Sequence, residues 1–579
     1  MRNAKIVCTL GPASADRTTV RALADAGMSV ARLNASHGSR EDRREIIETV
    51  RRVDEATDDP VAVMMDLQGP EVRTAEIPEP IHLETGSTVE FTPGEDATPS
   101  RVGLSAAIAA VEPGDRVLLD DGRIETVVES VTRNTVVARV ESGGELGSRK
   151  GVNVPGVPLD LDVVTEKDEK DLELAAEAGV DFVAASFVRD ADDVLEVSRT
   201  LESAGADIPI ISKIERAGAV DNLEEIVDAS YGVMVARGDL GVELPMEDVP
   251  MIQKRIIRRC RETGTPVITA TEMLDSMVRS RRPTRAEASD VANAVLDGTD
   301  GVMLSAETAV GDHPVRVVET MDRIVREAES SDEYAELLEQ RVPNADDGRT
   351  DALARSARYL ARDVDAAAVV VASESGFTAR KVAKFRPGVP VVAATPRDRV
   401  RRQLVLSCGV TPEYAPYTDA GADAIIDGSV GAAIDANVVE SGDTVVVLSG
   451  MMTELEGTDT ANMLKVHVAA ETLAVGRAVV SGRAAGPVVH LDDGDLSAVE
   501  PGSVAVLSAD FDDEFTGDLS TLAGIVSADP GLTGYPAMVA RELDVPMVSD
   551  AELPDVADGD VVTIDGERGI VYAGRIGGR

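Results

Sequence analysis

Carboxylate and cationic side chains recur at the ends of strand-like segments of this 579-residue chain. Glu215 ends one such segment and Asp239 follows the next, and two carboxylates suit a hard divalent cation such as Mg2+ or Mn2+. Lys213, Arg32 and Arg73 bring positive charge to the same or neighbouring segments. Because phosphoryl transfer is catalysed mainly by positioning and charge neutralisation, this combination favours a phosphoryl-transfer enzyme.

The elements that must position these residues form a repeating pattern over residues 1–330. Short β-branched runs alternate with amphipathic segments, which indicates a parallel sheet with crossover helices. Eight runs are predicted strands, at residues 4–10, 29–35, 61–67, 182–188, 209–215, 231–236, 266–272 and 301–307. Since eight parallel strands close a barrel, we predict an α/β fold with a (β/α)8 TIM barrel, whose active site lies at the carboxyl ends of the strands.

Three further domains are predicted from changes in this pattern. Short strands and Gly/Pro turns over residues 74–149 indicate an inserted β-barrel lid domain, which leaves residues 1–73 and 150–345 for the barrel. An α/β regulatory domain is expected over residues 346–472, and an extra β-rich domain over residues 473–579. The insertion follows the third predicted strand, so the lid would emerge where barrel active sites lie.

The composition restricts the partners and the compartment. A net charge of −47, about one excess negative charge per twelve residues, argues against nucleic acid or anionic lipid as a partner. Nine of the 57 basic residues are lysines and aromatic residues make up 2%, which favours a halophilic cytoplasm, where molar salt screens charge over about 3 Å. With no membrane-spanning apolar run and no signal peptide, we expect a cytoplasmic protein whose three separated cysteines are reduced.

Eight segments, in order along the chain, carry a family resemblance. They are ARLNASHG, MMDLQGPEVRT, GSRKGVN, ISKIE, MVARGDLGVE, TATEMLDSM, RPTRAEASDVANAVLDGTDGVMLSAET and SESGFTAR. Together they resemble the successive signatures of the pyruvate kinase family over residues 3 to about 470. The resemblance implies a barrel with a lid and a regulatory domain, assembled as a homotetramer. It also implies transfer of phosphate from phosphoenolpyruvate to ADP, giving pyruvate and ATP in the last step of glycolysis.

The resemblance implies roles for the residues that match these motifs. Glu215 and Asp239 would bind Mg2+. Lys213 would lie beside the transferring phosphoryl group and the enolate oxygen, Arg32 would hold the phosphoryl group, and Thr271 would position the proton donor for the carbon that becomes methyl. The implied substrate-binding set is Arg32, Lys213, Thr271 and the backbone amides of Gly238 and Asp239. The implied nucleotide-binding set is Asn34, His37, Arg73 and Lys150.

A monovalent cation site is implied as well. Family members that dispense with K+ carry Lys at the position of Glu71, so Glu71 predicts dependence on K+. Gln68 stands where family members commonly carry lysine, and this difference is expected to alter nucleotide contacts. The implied K+ ligands are the side chains of Asn34, Ser36 and Asp66 and the carbonyl oxygen of Leu67, which replaces a common threonine without loss of the carbonyl.

The segment SESGFTAR resembles an effector loop of the family. Its hydroxyl groups and backbone amides could cradle the phosphate of an allosteric effector. Glu374 stands where relatives that respond to fructose 1,6-bisphosphate often carry Lys, and its carboxylate would repel a second phosphate. We therefore expect a monophosphate such as AMP or ribose 5-phosphate, or no effector; the alternative is an ordinary turn. The candidate effector residues are Ser373, Ser375, Gly376 and Thr378.

The C-terminal segment DPGLTGYPAMVAR, residues 529–541, resembles the loop of the swivelling phosphohistidine domains. Tyr535 stands where the histidine is expected, and nucleophilic phosphotransfer needs an imidazole nitrogen there. The other histidines of the chain fall outside this loop. We therefore expect a domain that keeps the fold without its original chemistry and that stabilises the assembly or modulates regulation.

Two other functions remain open at this point. The same Lys, Glu and Asp set suits a Mg2+-dependent barrel lyase or aldolase that forms an enolate, although such an enzyme explains neither the β insertion nor GSRKGVN. A non-catalytic metabolite sensor is the second alternative. It predicts loss of ligand residues, whereas Lys213, Glu215, Asp239 and Thr271 are all present.

Overall fold

The computed structural model describes residues 2–159, 161–346, 348–418, 421–450 and 461–576. The chain divides into two compact units. The first comprises Met1–Ala352, Ser375–Gly388 and Arg397–Pro412, and the second comprises Leu353–Glu374, Val389–Pro396 and Glu413–Arg579. Among the described residues, no helix is both long enough and apolar enough to cross a membrane.

Eight parallel strands form a closed barrel in the first unit, and each overlaps one of the eight predicted runs. They are Lys5–Thr9, Met28–Asn34, Ala62–Asp66, Phe182–Ala185, Ile210–Ile214, Gly232–Ala236, Val267–Ala270 and Gly301–Leu304. One buried cluster takes side chains from all eight strands, including Met64, Phe182 and Ile211, so the barrel interior is packed. Residues that follow the carboxyl ends of the strands are therefore brought together at one end.

Helices connect the barrel strands and bury their apolar faces in a second, outer cluster. Side-chain caps stabilise the first turn of some of these helices; Thr165 and Asp168, for example, form the reciprocal capping box that their spacing predicts. The helices are Arg17–Asp25, Arg40–Asp54, Glu166–Ala178, Ala191–Ser203, Ala217–Asp221, Leu223–Ala229, Arg237–Glu243, Val249–Thr263, Arg285–Asp297, Ala306–Ala309, Pro314–Glu329 and Asp332–Gln340, with a 3-10 turn at Asp275–Val278.

The segment that follows the third barrel strand, residues 72–153, is built of β-strands. An eight-stranded, mostly antiparallel sheet and a two-stranded sheet enclose their own apolar cluster, which includes Phe91 and Leu119. The strands are Val72–Arg73, Ile81–Leu83, Thr88–Pro93, Ala97–Thr98, Arg101–Leu104, Arg116–Leu119, Ile124–Thr132, Thr135–Ser142, Gly144–Leu146 and Gly151–Asn153. We refer to this segment as the lid.

The α/β part that follows the barrel contains a five-stranded sheet. Its strands, in spatial order, are Val410–Tyr414, Val391–Thr395, Ala368–Ala372, Thr444–Ser449 and Met463–Val468. The last strand is antiparallel to its neighbour, whereas Ala368–Ala372 is parallel to the strands on both sides. The helices of this part are Arg349–Asp363, Phe377–Lys384, Asp398–Leu404 and Ala422–Asp435.

The C-terminal part of the second unit is a mixed eight-stranded sheet with one α-helix, Tyr535–Leu543, and a 3-10 turn at Leu519–Thr521. Apolar clusters cover both faces of the sheet. In spatial order the strands are Thr472–Val475, Ile570–Ala573, Val561–Asp565, Arg483–Leu491, Ser503–Leu507, Leu522–Ser527, Met547–Ser549 and Arg477–Val480. This sheet is the extra β-rich domain expected from the sequence.

Candidate active site

Arg32 and Asp66 are paired at the barrel mouth, where the second and third strands run side by side. The Nε of Arg32 donates to Asp66 Oδ2 at 2.6 Å, and its Nη1 donates to Thr9 Oγ1 at 2.8 Å. Both charged side chains are buried. Although burial favours the neutral acid, the charges of Arg32 and Lys213 hold the pKa of Asp66 below its usual value, so Asp66 is a carboxylate.

Lys213 extends from the fifth strand into the same group of charges. Its Nζ lies 2.7 Å from Glu215 Oε1, donates to Ser186 Oγ at 2.8 Å, and lies 3.3 Å from Asp66 Oδ1, a buried oxygen without a hydrogen-bond partner. Burial disfavours the ammonium, but the surrounding carboxylates outweigh it and raise the pKa of Lys213. Lys213 therefore carries its positive charge at any physiological pH.

Glu215 and Asp239 are the carboxylates at the ends of the fifth and sixth strands. Glu215 Oε2 accepts a hydrogen bond from the backbone N–H of Phe187 at 2.7 Å. Burial and the negative charge of Glu215 raise the pKa of Asp239 to about 7, and Asp121 and Glu71 act in the same direction. A bound cation would remove this electrostatic penalty. The raised pKa of Asp239 therefore indicates that positive charge is favourable beside these carboxylates.

The donor set fits a divalent cation such as Mg2+. In the described ranges, no three His, Cys, Asp or Glu side chains form a metal-binding cluster. The sequence-predicted ligands, Glu215 and Asp239, would provide two carboxylates. Mg2+ accepts such an arrangement because it commonly uses one or two carboxylates and takes its other ligands from water and substrate oxygens.

Gly238 and Thr271 lie against each other across the sixth and seventh strands. A Cβ atom placed on Gly238 would be only 2.7 Å from Thr271 Cγ2, so only glycine fits this position. Thr271 itself has a φ of 79°, which is rare for a β-branched residue. Arg237 stabilises this turn because its Nε donates to Ala270 O at 3.0 Å and its Nη2 donates to Thr271 O at 2.8 Å.

The base of the lid brings further charges to the barrel mouth. Arg73 Nη2 lies 2.6 Å from Glu71 Oε2, and Lys150 Nζ lies 2.8 Å from Asp120 Oδ1. Burial raises the pKa of Glu71, with Arg73 opposing and Asp121 adding to the shift. Both predicted nucleotide-binding cations are thus paired with carboxylates. Asp120 and Asp121 are not among the residues predicted from the sequence, although the DDG turn at residues 120–122 is a visible signal.

The other residues of the predicted monovalent cation site lie where the second and third strands end. Asn34 Oδ1 accepts from the backbone N–H of Ser36 at 3.0 Å, and Asn34 is in register with Asp66. The carbonyl oxygen of Leu67 accepts from Ser186 Oγ at 2.7 Å. His37 follows Ser36, and burial together with Arg73 and Arg32 lowers its pKa, which favours a neutral imidazole.

The candidate effector residues are divided between the two units. Ser373 follows the strand Ala368–Ala372 in the second unit, and its Oγ is buried without a hydrogen-bond partner. Ser375, Gly376 and Thr378 belong to the first unit, at the start of the helix Phe377–Lys384. Ser375 Oγ accepts from the backbone N–H of Phe377 at 3.3 Å. The phosphate cradle stays a prediction.

The carboxylate of Asp529 lies inside the loop that precedes the helix Tyr535–Leu543. Cβ atoms placed on Gly531 and Gly534 would lie 2.7 Å and 3.8 Å from Asp529 Oδ2. The ring of Tyr535 packs on Phe515, with centroids 5.8 Å apart. The carboxylate of Asp529 therefore lies beside the loop glycines. Tyr535, at the position expected for histidine, is part of an aromatic cluster.

The fold and this site define the class of protein: a (β/α)8-barrel enzyme with clustered carboxylates and cations at the carboxyl ends of its strands. Three family models match the chain, described as "Pyruvate kinase, barrel domain" over residues 1–318, "Pyruvate kinase, alpha/beta domain" over residues 351–467 and "PEP-utilising enzyme, mobile domain" over residues 499–569. The chain belongs to the pyruvate kinase family, and it carries the additional mobile domain at its C-terminus.

Full-length relatives are similar along the whole chain. The pyruvate kinase of Geobacillus stearothermophilus is 42% identical over 585 residues, with 99% of each chain covered. That of Staphylococcus aureus strain MRSA252 is 39% identical over 583 residues, also with 99% of each chain covered. The family resemblance and the fold class expected from the sequence are thereby confirmed.

Proposed function

We propose that this protein is a pyruvate kinase that transfers the phosphoryl group of phosphoenolpyruvate to ADP, giving pyruvate and ATP. The observation that carries this function is the position of Lys213, whose ammonium lies 2.7 Å from Glu215 and 3.3 Å from Asp66 at the mouth of the barrel. Full-length similarity to pyruvate kinases supports the same activity. It also favours a kinase over the lyase and sensor alternatives.

In this proposal, Lys213 and Arg32 stabilise the phosphoryl group during its transfer. Both side chains are held by Asp66, so their cationic groups are positioned before the substrate arrives. As phosphorus leaves, negative charge grows on the enolate oxygen beside Lys213, and a preorganised ammonium stabilises that charge. The backbone amides of Gly238 and Asp239 receive the substrate carboxylate.

Protonation of the enolate completes the reaction. Thr271 is proposed to orient the proton donor toward the methylene carbon, which becomes the methyl group of pyruvate. The contact between Thr271 and Gly238 supports this role because it brings the threonine beside the proposed carboxylate site. The hydrogen bonds from Arg237 to the carbonyl groups of Ala270 and Thr271 keep this turn in place.

Two metal ions complete the proposed site. Glu215 and Asp239 would hold Mg2+ or Mn2+, which supplies positive charge to the phosphoryl and enolate oxygens when bound. Asp66 Oδ1 is buried, has no hydrogen-bond partner and lies 3.3 Å from Lys213 Nζ, so this carboxylate oxygen can accept a further cation. The proposed K+ ligands are Asn34, Ser36, Asp66 and the carbonyl oxygen of Leu67.

The nucleotide is proposed to bind at the base of the lid. Arg73 and Lys150 are paired with Glu71 and Asp120. An arriving diphosphate would exchange these carboxylates for phosphate oxygens, which links nucleotide binding to movement of the lid. Asn34 and His37 complete the proposed nucleotide-binding set.

Several properties beyond the reaction are also proposed. We expect a cytoplasmic homotetramer adapted to high salt, with the domain limits inferred from the sequence. For the loop with Ser373, Ser375, Gly376 and Thr378 we expect either a monophosphate effector or no effector. The C-terminal domain is proposed to stabilise the assembly or modulate regulation. Its loop contains Asp529 and Tyr535 in place of a phosphate carrier, which supports a non-catalytic role.

The test is a coupled assay of pyruvate formation from phosphoenolpyruvate and ADP by the full chain in molar KCl with Mg2+. The proposal predicts turnover that requires both phosphoenolpyruvate and ADP, together with Mg2+. A change in this turnover on addition of a candidate monophosphate would support the effector site. A folded protein that forms no pyruvate under these conditions would contradict the proposed activity.

A further inference from the structure

Ser186 and Phe187 follow the fourth barrel strand and contact both charged residues of the fifth. The Oγ of Ser186 accepts a hydrogen bond from Lys213 Nζ at 2.8 Å. The backbone N–H of Phe187 donates to Glu215 Oε2 at 2.7 Å. One dipeptide therefore holds the proposed catalytic ammonium and the proposed metal-binding carboxylate together.

The hydroxyl group of Ser186 has a fixed orientation. Its hydrogen is donated to the carbonyl oxygen of Leu67 at 2.7 Å, which directs an oxygen lone pair toward Lys213. Ser186 is 3% exposed, so water does not compete for either hydrogen bond. The ammonium of Lys213 thereby has a neutral acceptor in addition to the two carboxylates of Glu215 and Asp66.

The backbone at Phe187 supports the same interpretation. Its φ is 58°, a left-handed conformation that is uncommon for a bulky residue and is concentrated at functional sites. In this conformation its N–H group reaches Glu215. The ring is covered by the guanidinium of Arg216 at 4.8 Å from its centroid, which stabilises the turn.

Gly69 in the neighbouring loop leaves space for the Ser186–Phe187 turn because it has no side chain. A Cβ atom on Gly69 would lie 2.9 Å from Ser186 Cβ and 3.0 Å from Phe187 Cδ2. Gly69 also has a φ of 71°, a conformation that L side chains rarely adopt. The Leu67–Gly69 loop and the Ser186–Phe187 turn therefore pack tightly against each other beside the site.

We propose that Ser186 is a positioning residue for phosphoryl transfer, which orients the ammonium of Lys213 toward the transferring group while Phe187 fixes Glu215. This inference rests on the proposed pyruvate kinase function. Without the hydroxyl group, Lys213 loses its neutral acceptor and is drawn toward the carboxylates of Asp66 and Glu215. The ammonium is then held away from the oxygens on which charge develops.

The test compares Ser186→Ala with Ser186→Thr, which keeps a hydroxyl group, and with Ser212→Ala as the matched control. Ser212 is a fully buried serine of the fifth strand whose hydroxyl bonds Ser230 Oγ at 2.6 Å, away from Lys213. For each purified full-length variant, kcat, the KM for phosphoenolpyruvate and the thermal unfolding midpoint are measured in molar KCl with Mg2+.

Ser186→Ala is expected to lower kcat about 10- to 100-fold, the scale of a hydrogen bond to a charged group, with the KM for phosphoenolpyruvate within about threefold of wild type. Ser186→Thr should recover most of this loss, and Ser212→Ala should lose stability without a comparable loss of kcat. A kcat for Ser186→Ala close to that of Ser212→Ala, or no recovery in Ser186→Thr, would overturn the inference. Absence of turnover in the wild type contradicts the proposed function itself.

Discussion

Replacement of Lys213 by Met removes the ammonium that lies 2.7 Å from Glu215 and 3.3 Å from Asp66 while keeping most of the side-chain volume. The side chain of Lys213 is 13% exposed, so little water can replace the lost charge. Removal of one preorganised electrostatic contact to a transition state lowers kcat by roughly 10²- to 10³-fold. We therefore expect Lys213→Met to reduce kcat by at least about 10²-fold while phosphoenolpyruvate still binds.

The same substitution affects folding, and the assay must separate the two effects. Glu215 and Asp66 lose a buried cationic partner, which costs about 3–5 kcal/mol when one member of a buried pair is removed. Lys254→Met is the matched control because Lys254 pairs with Asp297 on the barrel exterior and is 43% exposed. Thermal unfolding, calorimetric binding of phosphoenolpyruvate and kcat are measured for both variants. A folded Lys213→Met variant with near-normal kcat would refute the role assigned to Lys213.

Four further predictions follow from other parts of the chain. Replacement of K+ by a large organic cation at equal ionic strength should abolish most activity, and Glu71→Lys should restore part of it; undiminished wild-type rates would contradict the K+ site. Arg237→Ala should lower kcat about tenfold or more, since two carbonyl groups of the Thr271 turn lose a charged donor, and an unchanged kcat would exclude that role. Burial lowers the pKa of Lys5 from 10.5 to about 8. Between about pH 8 and pH 10.5 the unfolded chain therefore holds this proton while the folded chain has released it. The free energy of unfolding should rise by about 3 kcal/mol as the pH is raised through this range. Lys5→Met should remove that rise in urea titrations, and an equal rise in the variant would assign it to other groups. A chain ending at residue 472 should keep catalytic turnover but lose stability, because Val468 and Ala470 pack against Tyr572 and Ile576; an assembled, folded truncation without turnover would refute the non-catalytic role of the C-terminal domain.

The barrel could be predicted from the sequence because its signals are local. Buried parallel strands appear as short β-branched runs, and each of the eight runs overlaps a barrel strand. The polar residues at their ends, such as Arg32, Lys213 and Asp239, could be identified because clustered charge at the carboxyl ends of apolar barrel strands is typical of an active site. Strand order then brings them together, since parallel strands share one carboxyl end.

The contacts that orient these residues could not be predicted in the same way. Ser186 lies in the apolar run FVAASFV, and nothing local distinguishes it from a buried serine that caps a strand. Its importance comes from Lys213 and Leu67, which are distant in sequence. Asp121 acts on the pKa values of Asp239 and Glu71, although it is distant from both in sequence. Non-local geometry therefore adds the positioning residues to a site whose charged residues are visible in the sequence.

The most direct test of the account is 31P NMR of the purified full chain with phosphoenolpyruvate, ADP and Mg2+ in molar KCl. The account predicts that the phosphoenolpyruvate signal declines and the γ-phosphate signal of ATP grows in equal amounts, and that Lys213→Met slows this conversion by at least about 10²-fold. Loss of phosphoenolpyruvate without formation of ATP, or no conversion by folded wild-type protein, would contradict it.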